Sequence, residues 1–299
     1  MNYILLCITI IFATANNIFL HRYSDKEETC NVFAFNASVS FLWFILLIII
    51  GRGVERLSLY TVLFGVVYGA ITALFLFFKM LALGNGPVSI TSLIACCSLI
   101  VPTLCGSFIW KEHITISQVI GLVLLFVSLY FVLNLKFNTK ISGLYIVYAI
   151  ATFLFAGISG VAMKIYAKMG EEAKLNDMMV IASLVAFILF FIIYFCSRKL
   201  RVRKENTLFS VEKRQKVIFR SLKYILLCGI TSCVYQRVNL FLSGELPSVV
   251  LFPIFNGMVI FLSCVAGVCF FEEKLTKKQI WGILVGSISI MLVGKVICF

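Results

Sequence analysis

Three positive charges stand inside stretches that are otherwise apolar: Lys79 in LFLFFKMLAL, Lys164 in GISGVAMKIY and Arg237 in SCVYQRVNLF. A cation in such surroundings is costly unless it meets an anion, a water-filled cavity or a polar partner. The chemistry these residues offer is the holding of a carboxylate or phosphate. The second reading is structural: all three lie nearer the ends of their stretches than the middles, and a long stem lets the charge reach the interface. Lys79 continues a stripe of Thr61, Gly65, Tyr68, Thr72 and Phe75, spaced by three and four along one helix face. Lys164 follows Gly157 and Gly160, and Arg237 lies two residues after Tyr235. Asn16, Asn17, Asn36 and Asn256 also stand in apolar runs, where an amide either bonds a neighbouring helix or touches a solute. The candidate substrate-binding residues are therefore Lys79, Arg237, Lys164, Asn17, Tyr68, Tyr235 and Asn256.

Enzyme chemistry finds no footing. His21 and His113 fall at loop edges, and there is no acid pair, no nucleophile–base constellation and no glycine-rich phosphate loop. Every cysteine but Cys30 sits inside an apolar run, without paired C-x-x-C spacing, so neither a metal site nor a disulfide framework is expected. No cofactor is implied. A net charge of +13 could suggest nucleic acid, but no basic stripe lies on a foldable soluble segment. Cations gathered in cytoplasmic loops of a membrane protein explain the excess better.

The elements that must position these residues are transmembrane helices. The chain is 62% hydrophobic and 13% charged, against about 25% charged in a soluble protein. Apolar runs of helix-spanning length recur at 2–21, 30–50, 58–82, 87–110, 115–134, 141–165, 176–197, 221–243, 247–271 and 277–297. The apolar N-terminus lacks a basic leader and a small-residue cleavage site, so it reads as a retained helix. The expected fold is an all-α integral membrane protein of ten transmembrane helices. Connectors are short except the basic segment 197–223, which reads either as an interfacial helix or as a solvated loop. The chain's prolines are Pro87, Pro102, Pro247 and Pro253, all in the fourth and ninth runs. Proline frees a backbone carbonyl, and interrupted helices at matching places are pointers to a transporter's cavity. Pro87 and Pro247 fall at helix starts, where proline is tolerated. Pro102 and Pro253 are the candidate helix breaks, with a tolerated kink as the plainer alternative.

Two phrases lie 161 residues apart, WKEHITISQVIG at 110–121 and FEEKLTKKQIWG at 271–282. Glu112 and Glu273, Thr115 and Thr276, Gln118 and Gln279, Gly121 and Gly282 coincide, and the register continues to Ser128 and Ser289. Both glutamates read as residues at helix starts. The chain looks like two units of five helices, and an odd number inverts the second unit in the membrane. On these residues, with ALGNGPVS at 82–89, the sequence resembles the drug/metabolite transporter superfamily, specifically its EamA-type ten-helix members. The resemblance implies an EamA-like five-helix repeat over 1–137 and a second, inverted one over 138–299.

That resemblance implies a secondary transporter moving a small metabolite by alternating access. The embedded carboxylate on which the small multidrug/proton antiporters of the superfamily rely has no counterpart here at comparable depth. The embedded cations lean instead towards an anionic or zwitterionic solute. A multidrug or cation exporter of the same fold, or a membrane scaffold or sensor, are the alternatives. The family often places a proline midway along helices four and nine; Pro102 and Pro253 stand elsewhere, so that role is not carried over. The partners implied are a small-molecule substrate and the lipid bilayer, with a homodimer as one assembly such a bundle allows. The plasma (inner) membrane is the expected location. Lys and Arg concentrate in the connections after odd-numbered runs, above all in 197–223, which puts the termini outside. The family implies the reverse.

Overall fold

The computed structural model describes residues 2–26, 32–51, 58–85, 91, 94–95, 97–132, 142–169, 175–201, 211–271 and 276–293. Among them there are ten long helices and no strand. They are α1 (Asn2–Lys26), α2 (Val32–Ile50), α3 (Leu59–Asn85), α4 (Ile100–Trp110), α5 (Ile116–Val132), α6 (Gly143–Met169), α7 (Leu175–Arg201), α8 (Val211–Glu245), α9 (Ser248–Phe271) and α10 (Lys277–Val293). Each predicted apolar run holds one of them. A helix satisfies its own backbone, which is the condition for crossing hydrocarbon. Large side chains point outward: Phe108 is 82% exposed and Ile116 81%, an arrangement suited to lipid and unfavourable in water.

Among the described residues, six helices are long and apolar enough to cross a membrane: α1, α2, α3, α6, α7 and α8. The shorter apolar stretches, Ile100–Trp110, Ile116–Ser128, Ser248–Ser263 and Ile280–Ile290, belong to the fourth and fifth helices and the ninth and tenth. The structure departs from both sequence readings of 197–223. Neither a separate interfacial helix nor a free loop covers its described part: α7 continues to Arg201, and Val211 already belongs to α8. No glycine or proline interrupts 211–228, and Glu, Lys, Arg and Gln are good helix formers.

The described chain packs as two compact units. One comprises Met1–Thr14, Leu74–Met169 and Val238–Phe299; the other comprises Ala15–Ala73 and Gly170–Arg237. In the first unit α5 lies along α10, their most extensive pairing. The Ser128 hydroxyl donates to the Gly282 carbonyl at 2.6 Å, and the Ser289 hydroxyl to the Gly121 carbonyl at 2.7 Å. Both partners of the second bond stand 161 positions from those of the first, so the seam carries one bond twice. Thr115 opens α5 as a capping box: its N–H donates to Gln118 Oε1 at 3.0 Å. Thr276 repeats the helix start through its carbonyl, which accepts from the Ile280 N–H at 3.1 Å.

Also in this unit, α4 approaches α6 over two glycines. A Cβ on Gly157 would stand 2.6 Å from Val101, and one on Gly160 would stand 3.1 Å from Pro102. Small residues permit such contact where apolar burial alone drives no association. In the second unit α2 packs along α7, and the Asn176 amide donates to the Leu47 carbonyl at 3.3 Å. Tyr23 stacks on Phe35 at 4.0 Å between centroids, with Cys228 completing a buried cluster.

Candidate functional site

The first unit contains a buried charge network built from three elements. α4 ends at Trp110, and Lys111 adopts the left-handed conformation at φ 53°. That reversal swings Glu112 back over the last turns of α4, its N–H donating to the Gly106 carbonyl at 3.3 Å. Gly106 leaves the room: a Cβ there would lie 2.6 Å from Glu112 Oε2 and 2.7 Å from Ser248. From α6, Lys164 forms an ion pair with Glu112 Oε1. Its ammonium also donates to Ser248 Oγ at 2.6 Å and to the Leu246 carbonyl at 3.5 Å. Glu112 Oε2 accepts the Ser248 N–H at 2.8 Å, satisfying an orphan donor at the start of α9. The Trp110 ring lies 5.1 Å from the ammonium.

Lys164 is wholly buried, so it does not reach the interface. An ammonium has three donors, and here three acceptors meet them. Glu112 does not serve the start of its own following helix. It serves the start of α9 and the charge on α6, because the left-handed Lys111 directs it across the fold. Glu273, which matches Glu112 in the duplicated phrase, and Pro87 lie outside the described residues.

The second unit holds another polar grouping. Tyr68 on α3 is buried and lies within electrostatic reach of Tyr235 on α8. On the same face of α8, the Asn16 amide from α1 donates at 2.9 Å to the Cys228 carbonyl, Thr231 Oγ1 and Ser232 Oγ. Asn16 therefore holds α1 to α8. Asn17 beside it is exposed. On α3, Gly65 and Gly69 meet Ile181 and Ala182 of α7 at contact distance, so that face of α3 packs on a helix. Arg237 is half-buried, and its Nη1 is fully buried with no hydrogen-bond partner among the described residues. Cys233, one turn earlier, is in electrostatic reach.

Two further candidates have partners on their own helices. Lys79 in the first unit has its ammonium 5.6 Å from the Phe75 ring centroid. Asn256 folds back onto its own helix, donating to the Phe252 carbonyl at 2.9 Å. The two prolines play different parts. Pro102 lies in the first turn of α4, just after a turn at Ser98–Leu99, where a missing N–H costs nothing. Pro253 lies inside α9 and leaves the Val249 carbonyl without its helical donor. Sequence reasoning overlooked two partners, Ser248 and Asn239. The Asn239 Oδ1 is buried without a hydrogen-bond partner among the described residues, while its amide nitrogen lies 4.0 Å from Met163 Sδ. The signal for Ser248 was its place at the start of a helix beside the chain end of α8.

Comparison with known proteins decides the family. The sequence profile of the EamA-like transporter family matches residues 1–134 and 143–295. The chain belongs to the EamA-like transporter family. It is an integral, multi-pass membrane protein with the family's ten-helix fold. A solved crystal structure superposes on 99% of this EamA-family chain and 96% of its own, with a TM-score of 0.74 at 14% identity. That likeness speaks for the fold alone. No curated protein matches the EamA-family chain.

Proposed function

We propose that this chain is a secondary transporter that moves a small anionic or zwitterionic metabolite across the plasma (inner) membrane by alternating access. Membership of a transporter family supports the class. The observation that carries the substrate charge is Arg237. A buried polar nitrogen without a partner calls for one, and a guanidinium offers planar, paired donors suited to carboxylate or phosphate. Tyr68 and Tyr235 would supply the aromatic wall and phenolic bonds typical of small-molecule sites. Lys79, Asn17 and Asn256 belong to the proposed pathway, and Pro253 marks a carbonyl free to accept. Nothing in the sequence resembles an ATP-binding fold, so a solute or ion gradient drives the cycle.

The charge network suggests how one end closes. Glu112 belongs to the first proposed repeat, 1–137, and Lys164 and Ser248 to the second, 138–299. Rocking of the repeats parts the network when that end opens, hydrating both charges, and re-forms it on closing. Lys164 then acts as a bolt as well as a charge along the pathway.

The reading is tested in proteoliposomes with labelled carboxylates, phosphate esters, amino acids and cationic drugs. Uptake of an anionic or zwitterionic solute that Arg237→Gln reduces at least tenfold is the expected result. Movement of cationic drugs alone would assign the chain as a multidrug exporter. No flux of any kind, with no substrate-induced thermal stabilisation, would leave a membrane scaffold or sensor.

A further inference from the structure

Glu112 and the groups that hold it stand on different kinds of structure. Lys164 belongs to α6 and Ser248 opens α9, and both are wholly buried. Glu112 belongs to no helix: it lies in the connector between α4, which ends at Trp110, and α5, which begins at Ile116. Its side chain is 13% exposed against 1% for Lys164. The left-handed Lys111 brings it into place, a conformation that costs energy for any residue with a Cβ. Its N–H reaches the Gly106 carbonyl at 3.3 Å, long for such a bond. The donors are therefore fixed in the packed helices, while the anion is carried by a strained, partly exposed turn.

The fixed groups give a carboxylate one donor for each oxygen. The Lys164 ammonium meets Oε1, and the Ser248 N–H meets Oε2 at 2.8 Å. Ser248 Oγ accepts from the same ammonium at 2.6 Å and steadies it. The N-terminus of α9 adds its partial positive charge, and the exposed Lys168, one turn along α6, lies within electrostatic reach of Lys164. Gly106 bounds the space closely, since a Cβ there would stand 2.6 Å from Glu112 Oε2. A flat, singly charged group fits these two donors; a tetrahedral phosphate brings further oxygens for which the cradle has neither room nor donors. We infer that Lys164 and Ser248 form a carboxylate-binding site, which Glu112 fills as an internal ligand and which the carboxylate of a transported solute takes when Glu112 swings out. The exchange rests on the transport reading; the site itself does not.

The test is chemical rescue of the full chain in detergent, with formate as the probe. Glu112→Ala empties the cradle, and a ligand that binds only the folded state raises its melting temperature. Sodium formate should recover at least half of the lost melting temperature, saturably, and sodium chloride or phosphate at equal ionic strength much less. Glu112→Gln keeps the length and an acceptor oxygen; it should show a smaller formate-specific rise, and it decides the question where alanine is not tolerated. E112A/K164M should show none. An equal rise with chloride, a rise that persists in E112A/K164M, or no formate-specific rise in either single variant overturns the site. An equal rise with phosphate overturns the choice of carboxylate. In proteoliposomes formate should compete with uptake of an anionic solute by the parent; rescue without that competition overturns the exchange. The thermal readouts require no transport, so their failure leaves the transport proposal standing, and rescue without any flux would sink that proposal alone.

Discussion

Lys164 and Arg237 share a type of surroundings and differ in completion. The Lys164 ammonium has three acceptors for its three donors; the Arg237 Nη1 has none among the described residues. Opposite outcomes follow. Lys164→Met strands the Glu112 carboxylate in a buried setting, and loss of one partner of such a pair costs about 3–5 kcal/mol. Adding Glu112→Gln to it should recover part of that loss, a coupling visible by thermal unfolding in detergent. Arg237→Met removes a buried donor that lacks a partner among the described residues, and an unsatisfied polar group costs about 1–3 kcal/mol. Its melting temperature should hold or rise while anion uptake falls, the signature of a residue kept for binding. A third prediction concerns Lys111, strained at φ 53°. Lys111→Gly should stabilise the protein by roughly 1 kcal/mol while keeping Glu112 in place, because glycine adopts that conformation without a steric cost.

Between α5 and α10, the repeated phrase acquires a physical meaning. Its threonine opens a helix in both copies, helped in the first by Gln118, and its closing glycine presents a carbonyl to the serine of the facing helix. Ser128→Ala and Ser289→Ala should each cost about 0.6 kcal/mol, a usual value for interhelical bonds in membranes. The double variant should cost about twice that, since the bonds share no atoms. Gly286→Ala is the harsher change: its Cβ would stand 2.5 Å from Ser128 Oγ and displace the hydroxyl from its bond. Gly157→Val should cost about 1–3 kcal/mol by overpacking against Val101. It also pushes α4 away from α6 and so loosens the ion pair beyond it. Reduced stability together with altered uptake would show that the glycine contact and the charge network act as one assembly.

For the whole molecule, the basic segment 197–223 bears on orientation. The charge rule places it in the cytoplasm, so a reporter inserted within 202–210 should be active there, and one after Phe299 on the opposite side. Much of the architecture was legible without coordinates. Ten apolar runs became ten helices, because a chain in hydrocarbon must close its backbone bonds within each segment, and length and hydropathy report that directly. The duplicated phrase marked equivalent helices for a similar reason, since capping is a local matter of residues three apart. Glu112 shows where local reasoning stopped. Its spacing marked a helix start, but its partners are 52 and 136 residues away, joined only by a left-handed turn and the absence of a side chain at Gly106. The sequence alone determined that embedded cations needed explaining. Only tertiary structure decided that Lys164 is answered from within the protein while the Arg237 Nη1 is left without a described partner, because pairing depends on which helices meet and at what depth.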